Sequence, residues 1–364
     1  MTPTPLTAHE DAAIDVHHHM FPQALLAALT SAGVSRLGGE PVAAAWTPER
    51  SLELMDRYDV GAAVLSVPVP LAFVEAAARR RLARRLNEFA HDIARRWPGR
   101  FGFFATLPLP DVGAAVAEAR YALGELGADG VGLLTNEAGI YPGDGRLDPL
   151  YAELDARDAV AFVHPTVQAG SATALAGTGA SAPVLQPSLL EFPFETTRAV
   201  ATLLVTRTLE RFPRIRFVFT HSGGCVPSVA GRLVDRRPLV AAYAEMAANG
   251  AAPSVERLEE LLERAQVDAS DTLATLFYDV ALSTDVHALG GLTRLVPTTQ
   301  LLLGTDYPMA QEVGAHVTLT GVERFPGFTA ADRVAVRSGN AARLFPRLAR
   351  SAPARAAAEA GLAR

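Results

Sequence analysis

The chain has 364 residues, 49% of them apolar and 20% charged, a balance that suits a soluble globular protein with a sizeable core. Its formal net charge of -6 offers nucleic acid or an anionic membrane surface no electrostatic hold, and no apolar run reaches the roughly 18 residues that span a bilayer. A single cysteine, Cys225, cannot close an internal disulfide, and the first ten residues have neither a basic start nor an apolar run, so a cytoplasmic location is expected.

Every permanently cationic side chain is an arginine; the chain contains no lysine. A Schiff base on a protein lysine is therefore excluded, as is a pair of metal ions bridged by a carbamylated lysine. The chemistry falls to histidines, carboxylates, hydroxyls, a metal or a cofactor.

In chain order, short runs rich in Val, Leu, Phe and Ile predict strands over residues 13–17, 62–67, 102–107, 130–135, 160–164, 215–221, 276–280 and 300–306. They show little polar alternation, as expected of parallel strands buried on both faces. Amphipathic stretches over 49–58, 73–97, 112–126, 147–157, 196–212 and 286–296 predict helices between them. Eight such alternations predict an α/β fold of the (β/α)8 (TIM) barrel type, one domain with its core over 12–346 and a tail over 347–364. Two segments exceed ordinary connections. Residues 166–190, rich in Gly, Ala, Ser and Pro, predict a lid after the fifth strand or a surface insertion. Residues 232–271 predict one or two extra helices before the seventh.

The polar residues that end these strands carry the chemistry. The first strand closes on Asp15-Val16-His17-His18-His19. Residues i and i+2 of a strand share a face at roughly 6–7 Å, so His17 and His19 can converge on one ion while His18 points away. His164 ends the fifth strand, His221 the sixth and Asp306 the eighth. In a barrel these ends meet around one mouth. Three imidazoles and a carboxylate suit a single Zn²⁺, with Mn²⁺ next and Fe²⁺ also able to fit. With His17, His19, His164 and Asp306 as ligands, His221 keeps a free imidazole for acid–base work. Alternatively, His221 is a ligand and Asp306 is mainly catalytic; the sequence leaves both open. Asp279 and Ser283, at or beyond the seventh strand, are further candidates for the pocket wall. Asn340 suits a packing or capping role, Cys225 a small buried thiol at a helix start, and His91 and His287 fall in or beside helices.

These motifs resemble those of a known family. Asp15-Val16-His17-His18-His19-Met20-Phe21-Pro22, Phe162-Val163-His164-Pro165, Thr220-His221-Ser222-Gly223-Gly224 and Leu303-Gly304-Thr305-Asp306-Tyr307-Pro308 are similar to successive signatures of the amidohydrolase superfamily, in particular its decarboxylase branch. Glu191-Phe192-Pro193-Phe194-Glu195-Thr196-Thr197-Arg198 resembles the 6-methylsalicylate decarboxylases in that branch. The first strand carries His-x-His where some aromatic-acid decarboxylases of the branch carry Glu-x-His.

The resemblance implies a barrel of the amidohydrolase type. It also implies non-oxidative decarboxylation of a small aromatic acid, ortho-hydroxybenzoate-like, or of an unsaturated carboxylic acid. A divalent metal would serve as template and Lewis acid. Asp306 would be the proton donor and His221 its partner, with Arg198 and Phe192 as substrate-binding candidates; Arg198 is equally readable as a surface helix arginine. No organic cofactor is expected, in keeping with the lack of a Gly-rich nucleotide-binding motif. The resemblance further implies a homodimer. A metal-dependent hydrolase of a lactone, ester or amide is the rival activity, and a barrel that binds without catalysing is a third reading.

Overall fold

The computed structural model describes residues 12–37, 40–167, 186–233, 237–248 and 254–349. Eight strands form one sheet in sequence order: β1 (Ala13–His19), β2 (Val60–Ser66), β3 (Phe101–Thr106), β4 (Gly130–Leu134), β5 (Val160–His164), β6 (Arg216–Phe219), β7 (Phe277–Asp279) and β8 (Leu301–Leu302). Every neighbouring pair is parallel. The sheet returns on itself: Val16 N–H donates to Leu303 O at 2.9 Å, His19 N–H to Tyr307 O at 2.7 Å, and Asp306 N–H to His17 O at 2.8 Å. Helices lie between the strands, so the chain is a (β/α)8 barrel of the amidohydrolase type, as the run of apolar segments predicts.

Side chains of alternating strand positions fill the barrel. Ile14, Val16, Ala62, Val64, Phe104, Phe162, Val218 and Leu302 make one buried cluster. At its centre Phe104 stacks on Phe162, 4.8 Å between centroids. Ala341, Leu344, Phe345 and Leu348 join this cluster. Asn340 ties them on by donating from Nδ2 to Thr298 O and Leu301 O, both at 2.8 Å. That is the packing and capping role expected of it. The larger cluster packs the outer strand faces against the helices.

β1 departs from simple alternation. Its register to β2 slips between Asp15 and His18. Val16 lies in the inner cluster, and His17 meets the inner Phe162 edge-on at 5.2 Å. Two consecutive side chains therefore face inward, a bulge that re-aims the strand end toward the mouth. Beyond it His17 and His19 share a face.

Several predicted boundaries move. The strand expected over 215–221 stops at Phe219, because His221 and Ser222 adopt left-handed φ values of 53° and 57°. The helix expected over 196–212 begins earlier, as Glu191–Val205, with Glu191 in its first turn. A short helix, Thr208–Arg211, follows after Arg207 turns left-handed. Before β7 stand two helices, Arg237–Ala248 and Val255–Leu273. Most of the segment expected as a lid, 168–185, lies outside the described residues, as does the tail beyond 349. No helix among the described residues is long and apolar enough to cross a membrane.

Candidate metal centre

The barrel mouth brings His17 and His19 of β1, His164 at the end of β5 and Asp306 after β8 into one group whose candidate ligand atoms lie within 4.8 Å of one another. All four residues are buried. His17 Nε2 and His19 Nε2 are 3.1 Å apart, and Asp306 Oδ1 stands 3.2 Å from the first and 2.9 Å from the second. Two ligands bound to one ion at about 2.1 Å, at angles between 90° and 109°, would be about 3.0–3.4 Å apart. These spacings fit a single divalent cation.

The second nitrogen of each ring strengthens that fit. His17 Nδ1–H donates to Asp279 Oδ2 at 2.9 Å. His164 Nδ1–H donates to Pro165 O at 2.9 Å. Ser66 Oγ donates its own proton to His18 O at 3.3 Å, which leaves it to accept from His19 Nδ1–H at 2.8 Å. With Nδ1 holding the proton in each ring, Nε2 presents a lone pair to the centre. Facing lone pairs beside a carboxylate repel unless a cation lies among them, and outer partners of this kind orient metal-binding imidazoles.

Without the cation a proton takes that place. Burial disfavours charge on His17, but Asp279 and Asp306 on its two sides override it and raise its pKa to about 10. Burial pushes His19 down to about 4 and His164 well below the ordinary histidine value. Burial alone would raise Asp306, yet His17 and His19 hold it well below the usual carboxylate range. The metal-free cluster thus carries its proton on His17 up to about pH 10, and an ion must displace it. Apparent metal affinity is expected to rise about tenfold per pH unit through the neutral range. Calorimetric titration at pH 7 in buffers of different ionisation enthalpy should report about one proton released per ion. Release of none would mean that His17 is already neutral.

His221 lies beside the cluster, its ring 5.0 Å from His17 and 6.1 Å from His164. Its Nδ1–H donates to Ala281 O at 3.0 Å, so Nε2 is free to accept. Asp279 does more than line the pocket. Besides His17 it accepts from the backbone N–H of His221 at 3.1 Å and of Ala281 at 3.0 Å. It fixes the tautomer of His17 and the turn that carries His221. His17, His221 and Asp279 also form a second, overlapping group able to hold a cation. Asp279→Asn is expected to lower metal affinity about 10- to 100-fold, read by competition with a chelating dye. Unchanged affinity would mean that His17 needs no such partner.

His18 points away from the cluster, as strand geometry predicts. It completes a buried relay: Trp46 Nε1–H donates to Ser51 Oγ at 2.9 Å, Ser51 to His18 Nε2 at 2.8 Å, and His18 Nδ1–H to Asp15 Oδ2 at 2.9 Å. Asp15 also accepts from His17 N–H at 3.0 Å, from Thr305 N–H at 2.9 Å and from Thr305 Oγ at 2.6 Å. This carboxylate locks the end of β1 to the segment that presents Asp306.

Phe192 lies over the mouth, its ring 6.2 Å from His164. The helix bearing it is held by Glu195, whose Oε2 accepts from Tyr141 OH at 2.7 Å and Asn136 Nδ2 at 3.1 Å. Arg198, half-exposed, donates to Glu195 Oε1 at 3.3 Å and lies 5.8 Å from the Tyr141 ring. Its described contacts are with that network rather than with the cluster. Cys225 stands half-buried at a helix start, where its N–H donates to Thr197 Oγ at 2.8 Å.

Comparison with known proteins follows the same lines. The family model described as amidohydrolase matches residues 14–347. The chain is 32% identical over 354 residues to a 6-methylsalicylic acid decarboxylase, acuB, of Aspergillus aculeatus, covering 93% of this chain and 97% of that one. Among solved structures, an amidohydrolase II superposes with a TM-score of 0.79 at 26% identity, covering 92% of this chain and 100% of the other. A dihydroxybenzoic acid decarboxylase from Polaromonas sp. JS666, solved with manganese and 2-nitroresorcinol, shares the fold at 20% identity. Its TM-score is 0.71, over 92% of this chain and 97% of that one.

Proposed function

Since this chain belongs to the amidohydrolase superfamily and to its decarboxylase branch, we propose that it is a metal-dependent decarboxylase of a small aromatic carboxylic acid. One observation carries the reading: a near full-length match to a 6-methylsalicylic acid decarboxylase coincides with a complete His17–His19–His164–Asp306 cluster. A divalent ion bound there supplies a template and Lewis acid for a carboxylate.

The side chains do the rest. Asp306 engages both β1 histidines through Oδ1 and rests ionised between them, so Oδ2 relays a proton that His221 passes to it during the step rather than storing one. As the bond from the ring carbon to the carboxylate breaks and CO2 departs, Asp306 delivers that proton to the carbon. His221 Nε2, left free by the bond of its Nδ1–H to Ala281 O, takes the proton up from solvent. Phe192 offers an apolar face for the ring. Arg198 serves the substrate by holding Glu195, or by turning from it to the carboxylate.

Zinc suits three imidazoles and one carboxylate, and manganese is the runner-up, supported by its presence in the dihydroxybenzoic acid decarboxylase. A homodimer and a cytoplasmic location complete the reading; they rest on the family resemblance and on the lone Cys225. A panel of ortho-hydroxylated aromatic acids, given to zinc- or manganese-loaded protein, should yield CO2 and the decarboxylated ring from at least one member. No CO2 from any of them, with turnover of lactones, esters or amides, would replace this reading with the hydrolase.

A further inference from the structure

Of the three consecutive histidines that end β1, His18 is the one the cluster does not use. It is fully buried, as are Asp15, Ser51 and Thr305 around it. Buried polar groups persist where each donor meets an acceptor, and here that matching fixes one tautomer. The Trp46 indole can only donate, so Ser51 Oγ accepts from it at 2.9 Å and turns its own proton to His18 Nε2 at 2.8 Å. His18 therefore carries its ring proton on Nδ1 and gives it to Asp15 Oδ2 at 2.9 Å.

From Asp15 the bonds run to both neighbours of Asp306. The same Oδ2 accepts from Thr305 Oγ at 2.6 Å, and Thr305 Oγ accepts from Tyr307 N–H at 3.3 Å. His18 also meets Tyr307 directly. Their rings lie 5.1 Å apart, and their backbones pair as an isolated parallel bridge. Asp306, between Thr305 and Tyr307, has a left-handed φ of 58°. A residue other than glycine keeps such a conformation only where its surroundings hold it. From that position its Oδ1 lies 3.2 Å from His17 Nε2 and 2.9 Å from His19 Nε2.

We propose that His18 is a positioning residue that holds Asp306 in place from behind the cluster. It does so through Asp15 and Thr305 on one side of Asp306 and through Tyr307 on the other. An apolar residue at 18 would leave Ser51 Oγ and one acceptor site of Asp15 unpaired and free both neighbours of Asp306 to shift. The inference rests on the reading of Asp306 as a metal-binding group.

A double-mutant cycle on zinc affinity, read by competition with a chelating dye, tests it without turnover. His18→Leu is expected to weaken zinc binding about tenfold or more. Asp306→Gly removes the carboxylate while glycine accepts the left-handed φ, and in that background His18→Leu adds less than about twofold. His18→Asn, which keeps a side-chain N–H for Asp15, stays within about threefold of wild type. Thr305→Val breaks the same path at its far end and reproduces both the loss and its disappearance beside Asp306→Gly. It decides the matter if circular dichroism shows His18→Leu unfolded. Equal losses with and without the Asp306 side chain, or unchanged affinity in the folded variants, overturn the inference. An asparagine variant as weak as the leucine one overturns it too. Wild type that binds zinc but releases no CO2 from any aromatic acid overturns the decarboxylase reading and leaves this inference to the cycle. Wild type that binds no zinc overturns the metal centre and this inference with it.

Discussion

Asp306→Asn is expected to abolish turnover, by about 10³-fold or more in kcat, and to weaken metal binding in the same protein. Two losses add. The amide cannot hold a transferable proton, and general acid catalysis alone is worth about 10²–10⁴. It also removes the carboxylate that faces both His17 Nε2 and His19 Nε2. The fold should survive. Asp306 has a left-handed φ of 58°, a conformation that asparagine tolerates better than most residues. Its backbone bond to His17 O is untouched. Losing one of its two carboxylate neighbours also lowers the pKa of His17 from its value of about 10, so the pH dependence of metal uptake becomes shallower. Metal analysis, circular dichroism and steady-state kinetics on one preparation would read all of this. A variant with wild-type kcat would remove Asp306 from the chemistry.

His221→Asn is expected to part the two functions that Asp306 joins: about a 10²- to 10³-fold loss of kcat, with one ion per chain retained. Asparagine is again the substitution of choice, because His221 has a left-handed φ of 53° held by the bond from its N–H to Asp279. This variant decides between the two assignments left open by the sequence. If His221 is a ligand, metal content falls with activity. If it is the proton partner of Asp306, the ion stays while kcat falls.

The cluster was legible because its members announce themselves locally. Each is a polar residue that ends an apolar run, and barrel geometry converts eight strand ends into one ring. The outer partners were harder to read. Asp279 ends β7 in the same manner, yet its bond to His17 spans 262 positions, and nothing near either residue specifies it. Ser66 and Ser51 are single hydroxyls in ordinary strand and helix sequence, and their roles follow from which histidine nitrogen the fold brings to them. The bulge in β1 was equally hidden: alternation placed His17 and His19 correctly relative to each other, but not relative to Val16. Boundaries moved where left-handed turns cut elements short, at His221 and Arg207, because neither is a residue whose type advertises such a turn. The place of Arg198 in the motif points to a substrate contact, but motif position does not foretell a neighbour such as Glu195 three residues away on the same helix.

The central claim is that one divalent ion, held by three histidines and an aspartate, supports loss of CO2 from an aromatic acid. Stepwise addition of zinc or manganese to chelator-treated protein, with CO2 release from an ortho-hydroxylated benzoate measured at each step, tests it most directly. The account predicts no release before metal, a linear rise, and a break at one ion per chain. Undiminished release from the chelated protein, or no release at any loading, would contradict it.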